Sequence, residues 1–304
     1  MTSPFARSPF LAPALALMVN AFVWGTSWWP FRQLEAQGLH PLWATVLIYA
    51  FAVVVILVLR PRALGQLLRA PALWILVLAS GTTNAAFNWA VTIGDVVRVV
   101  LLFYLMPLWA VLLARLILRE PLTRHAALRV LLALAGAAVV LWPAGGSGWS
   151  DWEGLPLPRT LPDWLGVLGG FSFALNNVML RREAHRPEEA RALAMFGGGA
   201  AVAAGLALAL GRAVVAPIPA PALGWVAGVG ALALLFLGGN LALQYGAARL
   251  PANVTSVVML TEILFASASA LALGGGRLDA QLLAGGGLIL LAALLSTLSG
   301  ADAH

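Results

Sequence analysis

The chain has 304 residues, 61% hydrophobic and 10% charged, with a mean hydropathy of +0.91 and a formal net charge of +6 at pH 7. Soluble domains carry roughly a quarter of their residues as charges, so this composition excludes an ordinary soluble fold and points to a chain that lives in a bilayer. There is no cysteine, which excludes disulfides, thiolate metal sites and thiol catalysis; the positive balance is all arginine at segment ends, which fits membrane topology better than phosphate contacts.

A hydrocarbon core about 30 Å thick needs roughly 20 apolar helical residues. Charged and Pro-rich breaks divide the sequence into ten such segments, at 11–32, 42–60, 72–93, 97–118, 125–142, 163–181, 192–211, 222–246, 252–273 and 281–300. They are continuous apolar runs, not short alternating strands, so the expected fold is all-α and integral to the membrane, not a β-barrel. The first run continues to Trp29 without a small-residue cleavage site and reads as an uncleaved span.

In span one, Asn20, Trp24 and Ser27 fall at i, i+4 and i+7 and share one helical face. A polar stripe in an apolar helix faces protein or water, not lipid. Span three carries Asn84 and Asn88, two amides one turn apart, and Gly94 in the link that follows is a candidate flex point. Asp95 and Arg98, at the start of span four, read as topology signals and helix-end partners rather than a gate. Further along that span Tyr104 offers a flat wall to a solute, and Pro107 removes a backbone donor and is expected to kink the helix.

Span six places Gly169, Phe173 and Asn176 on the face that corresponds to the stripe of span one. The glycines at 197–199 in span seven and 285–287 in span ten read as close helix packing. Span eight repeats the amide pair as Asn240 and Gln244, with Gly246 as a second candidate flex point. Glu262 stands near the middle of span nine. A carboxylate at that depth costs roughly 2.5–3.5 kcal/mol on insertion scales, so such residues are rare and usually face a cavity. Glu262 is expected to do so, meeting a substrate ammonium or a proton; the alternative is a neutral carboxyl hydrogen-bonded to an amide. The amides divide in the same way between solute ligands and interhelical hydrogen bonds.

The histidines, His40, His125, His185 and His304, lie in loops or the tail without metal-ligand spacing, and no P-loop pattern occurs. Neither a metalloenzyme nor a nucleotide-driven pump has residues to stand on, and no cofactor or nucleic-acid partner is expected.

With the N-terminus inside, thirteen arginines fall on the cytoplasmic side and five outside. This positive-inside bias sets both termini in the cytoplasm. Shifted by 156 residues, the amide pair of span three falls on that of span eight, and Leu101 to Leu122 falls on a worn copy from Val257 to Leu278. Five spans per copy is an odd number, so the second copy enters the membrane upside down. The expected organisation is 11–142 as a first five-helix repeat, 143–162 as an external linker and 163–300 as the inverted second repeat, around a central cavity at half depth. Inverted repeats with a site at their interface are the architecture of many secondary carriers.

The first half reads WGTSW at Trp24 to Trp28 and YLMPLWAVLLARLILREPLT from Tyr104 to Thr123, with Pro107 followed thirteen residues later by Glu120. It resembles the EamA unit of the drug/metabolite transporter superfamily. TEILFA at Thr261 to Ala266 is similar in the second half, although Gly276 replaces the closing Glu. The length and Trp-rich first half are most similar to the aromatic amino-acid exporters of the YddG type. The resemblance implies a multi-pass carrier of the bacterial inner membrane that exports amino acids by alternating access, with Asn20, Trp24, Ser27, Asn84, Asn88, Tyr104, Phe173, Asn176, Asn240, Gln244 and Glu262 as candidate substrate contacts. Its partners would be the small-molecule substrate and membrane lipid, and ten spans around a cavity can work as a monomer. A carrier for another metabolite or a lipophilic cation is the second reading. A membrane scaffold or enzyme is the third, against which stands the lack of a His, Asp or Ser cluster at one face.

Overall fold

Apolar segments of bilayer length must satisfy their backbone hydrogen bonds internally, which leaves helix as the conformation open to them. The computed structural model describes residues 11–119, 124–142, 157–247, 249, 258–259 and 261–299, and every regular element among them is helical. In the first half these are α1 (Leu11–Thr26), α2 (Trp28–Ala36), α3 (Pro41–Leu59), α4 (Arg62–Leu68), α5 (Ala72–Ile93), α6 (Val96–Phe103), α7 (Met106–Leu113) with a π-helical turn at Ala114–Leu118, and α8 (Arg124–Leu141). In the second half they are α9 (Leu161–Arg182), α10 (Glu188–Leu210), α11 (Leu223–Ala247), α12 (Thr261–Leu273) and α13 (Ala280–Ser299).

Each of the ten segments marked in the sequence holds helix among the described residues. Five stretches are long and apolar enough to cross a membrane: Leu11–Ala36, Pro41–Leu59, Val96–Leu118, Glu188–Leu210 and Leu223–Leu243. The pair α4 and α5, turned by 105° at its break, would make a sixth. Asp163, Arg181 and Arg182 lie inside the bounds of α9, and further apolar helix runs through Val130–Leu141, Thr261–Leu273 and Ala280–Ala292 among the described residues. Helix α9 begins inside the stretch expected as linker, because the Thr160 hydroxyl accepts from the Asp163 N–H and the Asp163 carboxylate from the Thr160 N–H, a reciprocal cap. Residues 143–156 and Glu120 lie outside the described residues.

Pro107 breaks span four where its chemistry requires. It sits in the first turn of α7, has no N–H to donate, and its ring excludes the carbonyl four residues back, which belongs to Phe103. Helix α6 accordingly ends at Phe103. The Phe103 carbonyl oxygen faces the backbone of α9 at Gly170, where an added Cβ would overlap it. Gly25 of α1 makes the same approach to the Glu262 carbonyl of α12. Bare Cα–H groups at both glycines let a helix lie directly over a carbonyl.

Packing pairs follow small residues. Helix α1 lies against α11 and α12, α9 against α5 and the α6–α7 pair, α3 against α10, α5 against α10, and α8 against α13. Between α5 and α10 a Cβ on Gly198 would strike the Val77 carbonyl, and one on Gly81 would strike the Gly198 carbonyl and Val202. Its neighbour Gly197 has open space beyond it. The run at 197–199 therefore separates into unlike positions. Gly198→Leu is expected to destabilise the protein by about 1–3 kcal/mol through overpacking, while Gly197→Leu stays near wild type, as read from thermal unfolding midpoints of the detergent-solubilised variants.

Polar groups tie one end of the bundle together. Arg98 at the start of α6 pairs with Asp163 at the start of α9 through Nε–Oδ1 at 2.7 Å and Nη2–Oδ2 at 3.2 Å, and also donates to the Val140 carbonyl at the end of α8. Asp95 accepts from the N–H of Arg98 and, across the halves, from that of Arg277 at 2.9 Å. Arg32 on α2 lies over the Trp28 ring and donates to the carbonyls of Thr92, Gly94 and Gly275. Arg98 is thus a helix-end partner, as read from sequence, and its pairing joins the two halves.

Candidate functional site

Where α1, α3, α5, the α6–α7 break, α9, α10, α11 and α12 converge, they line a partly open cavity of about 450 Å³. Both halves contribute to it. Asn20 and Trp24 come from α1, Asn84 from α5 and Tyr104 from the break before Pro107; Phe173 and Asn176 come from α9, Asn240 from α11 and Glu262 from the first turn of α12. Pockets of this size, largely apolar with a few convergent polar groups, are the usual form of small-molecule sites.

The walls are aromatic. Trp24 stacks on Phe236 with ring centroids 4.6 Å apart, and Tyr49 stands edge-on to Phe236 at 6.2 Å. Phe103 lies 4.8 Å from Phe87 and 5.3 Å from Phe173. The break at Tyr104 turns its ring into this wall, and the Tyr104 hydroxyl donates to Glu262 Oε2 at 3.4 Å. That bond joins the bent span of the first half to α12 of the second.

The amides differ in how far they are already committed. Asn84 is largely committed: its Oδ1 accepts from the Tyr49 hydroxyl, and its Nδ2 donates to the Ser80 carbonyl at 2.8 Å and to the Ser80 hydroxyl at 3.3 Å. Asn20, 1% exposed, points Nδ2 at the Met259 sulfur at 3.8 Å and leaves Oδ1 without a protein partner. Asn176, 3% exposed, donates weakly to Asn177 Oδ1 at 3.4 Å and likewise keeps an unpaired Oδ1. A buried acceptor left unpaired costs about 1–3 kcal/mol; both atoms are closed in by protein, the Asn20 Oδ1 lying beside Gly239 of α11.

Two sequence candidates stand apart from this lining. Ser27 turns its hydroxyl back to the Trp24 carbonyl at 2.8 Å. Asn88 is fully buried and donates to the Thr45 hydroxyl at 3.1 Å, which makes it a tie between α5 and α3. The side chain of Gln244, like that of Pro107, lies outside the described residues. Gly94 and Gly246 sit at close contacts: a Cβ on the first would meet Pro162, and one on the second the Leu17 side chain and the Pro13 carbonyl.

Other lining residues escaped sequence reasoning, among them Tyr49, Ser80, Phe87, Phe103, Phe196, Phe236 and Met259. A signal for several was present. Ser80, Thr83, Asn84 and Phe87 share one face of α5, as Phe236, Asn240 and Leu243 share one face of α11. Extending the face of each polar residue by one turn in both directions would have found them. Among the described residues no three His, Asp or Glu side chains group as metal ligands.

Residues 11–142 match the EamA-like transporter family. That match covers less than half of the chain and marks a likeness of its first half to EamA-like transporters. No curated protein matches the sequence. Fifteen chains of solved structures do. One of them, described as a crystal structure of protein, superposes with a TM-score of 0.58 at 20% identity, over 95% of this chain and 98% of its own. At that identity the likeness is one of fold, and nothing in these matches singles out the aromatic amino-acid exporters.

Proposed function

We propose that the chain is a secondary transporter of ten spans, built as two inverted five-helix repeats, that moves amino acids outward across a bacterial inner membrane through its central cavity. The observation that carries this reading is the cavity itself, which draws polar and aromatic side chains from both halves. The packing pairs support the repeat. Exchanging the halves turns the contact of α1 with α11 into that of α9 with α5, and the contact of α1 with α12 into that of α9 with α6 and α7, while the pairs α3–α10 and α8–α13 map onto themselves. The glycine over the Phe103 carbonyl and the glycine over the Glu262 carbonyl exchange in the same way. By that contact Phe103 corresponds to Glu262 rather than to Met259, where a constant shift places it.

Two inverted halves interconvert inward- and outward-open forms by exchanging conformations around a fixed site. Both termini lie in the cytoplasm in this reading, and one copy of the chain encloses its whole pathway. Uptake of labelled tryptophan, phenylalanine, threonine and methyl viologen by proteoliposomes, with and without a pH gradient, tests it. Saturable uptake of one or more of these amino acids is expected; entry of methyl viologen alone would replace the amino-acid reading with the lipophilic-cation one, and no saturable uptake of any solute would remove the carrier reading.

A further inference from the structure

The link after α12 begins Gly274, Gly275, Gly276 and Arg277, and no two of its glycines are held by the same neighbour. Gly274 has a φ of +70°, and the N–H of Gly275 reaches back to the Ala270 carbonyl at 2.7 Å, a helix stop that favours a residue without Cβ. Gly275 is buried against the Trp28 ring, which an added Cβ would strike, and Gly276 lies against Asp95 and Val97 at the start of α6. Backbone groups tie this strap to the first half. The Val96 N–H donates to the Gly275 carbonyl at 3.1 Å, and the Arg277 N–H to Asp95 Oδ2 at 2.9 Å. Between the strap and the cavity the halves meet twice more: Trp28 Nε1 donates to Ser269 Oγ at 2.9 Å, and the Tyr104 hydroxyl to Glu262.

The cavity lies toward the opposite end of the bundle. Helix α11 starts beside Gln37, and α9 starts at Pro162 beside Gly94, so both run away from the strapped end. The lining takes Asn240 and Leu243 from the later part of α11, and Phe173 and Asn177 from the later part of α9. Asn177 is exposed.

We propose that residues 274–277 form a gate: seated between the Trp28 ring and the start of α6, the strap closes the cavity at this end, external in the proposed topology, and it leaves that seat when the cavity opens there. The inference rests on the carrier reading and gives its alternation a moving part. Gly276 stands where the first repeat has Glu120, and the structure gives that difference a use. A carboxylate at 276 would be set beside Asp95 as a like charge, whereas glycine lets the backbone close on Asp95 and Val96. Hydrogen bonds made by backbone groups at a wetted end exchange for bonds to water at small net cost. Three residues without side chains have nothing to interlock, so the strap can leave its seat and return.

The chain has no cysteine, so introduced thiols are the only ones present. Gln37→Cys and Glu188→Cys, exposed at opposite ends, calibrate which end a membrane-impermeant maleimide reaches in sealed vesicles of each orientation, and Thr83→Cys reports from the cavity lining. Thr83→Cys is expected to react faster from the Glu188 end. Oxidation of the same protein carrying Val97→Cys and Gly276→Cys should join strap to α6, abolish labelling from the Gln37 end, preserve it from the Glu188 end and stop uptake of the solute panel until the bond is reduced. Gly275→Ala, which unseats the strap from Trp28, should raise labelling from the Gln37 end roughly tenfold. Failure of the two cysteines to join, labelling of the joined protein from the Gln37 end, unimpaired uptake by it, or no rise with Gly275→Ala overturns the gate. Side-specific labelling as expected, with no uptake of any solute before or after reduction, supports the strap as the closure of that end and removes the carrier reading alone.

Discussion

Glu262→Gln is expected to slow proteoliposome uptake by roughly ten- to hundredfold and to flatten its pH dependence. The substitution keeps shape and most hydrogen-bonding capacity but removes the one charge that the described lining presents to a solute. A hydrogen bond to a charged group is worth about 1.5–3 kcal/mol, which is roughly ten- to hundredfold in affinity. The Tyr104 hydroxyl can donate to the amide oxygen as it does to the carboxylate, so the fold should survive. Glu262→Asp, which retains the charge on a shorter stem, should retain more activity than the glutamine variant. Initial rates measured from pH 5 to 8 decide the matter: a glutamine variant with the wild-type rate and profile would remove Glu262 from the mechanism.

Arg98→Ala is expected to cost about 2–3 kcal/mol of stability. Breaking a buried ion pair by removing one partner costs about 3–5 kcal/mol, because the remaining charge is left uncompensated. Here Asp163 is 2% exposed and Arg98 30% exposed, and Asp163 keeps acceptor contacts with the N–H groups of Arg159 and Thr160, so the loss should fall below that range. Adding Asp163→Asn to the alanine variant should recover part of the loss, since the orphaned charge is then gone. Unfolding midpoints for both single variants and the double variant measure the coupling directly; additive losses would mean that the pair contributes nothing to holding α6 against α9.

The fold class was legible because apolar run length is a strong signal, and the break of span four was legible because Pro107 acts locally. What sequence could not separate was the purpose of each polar residue. Asn84 and Asn88 look alike on one helix face, yet Asn88 is spent on Thr45 of α3 and only Asn84 borders the cavity; the difference depends on which helix lies opposite, a fact no single segment contains. Gly197 and Gly198 present the same difficulty. The partner of Arg98 was hidden for a related reason: Asp163 lies in the other half of the chain, at the start of α9. Glu262 was the easiest lining residue to find, because a carboxylate in an apolar run is conspicuous wherever it ends up.

Arg32 gathers carbonyls from the end of α5, from the link after it and from the link after α12 into one guanidinium. Were the halves to part at that end, only the Gly275 carbonyl, the one acceptor from the second half, would be given up; Thr92 and Gly94 travel with Arg32. The guanidinium therefore ties α2 to the end of α5 within the first half and lends the seam a single long contact, at 3.4 Å.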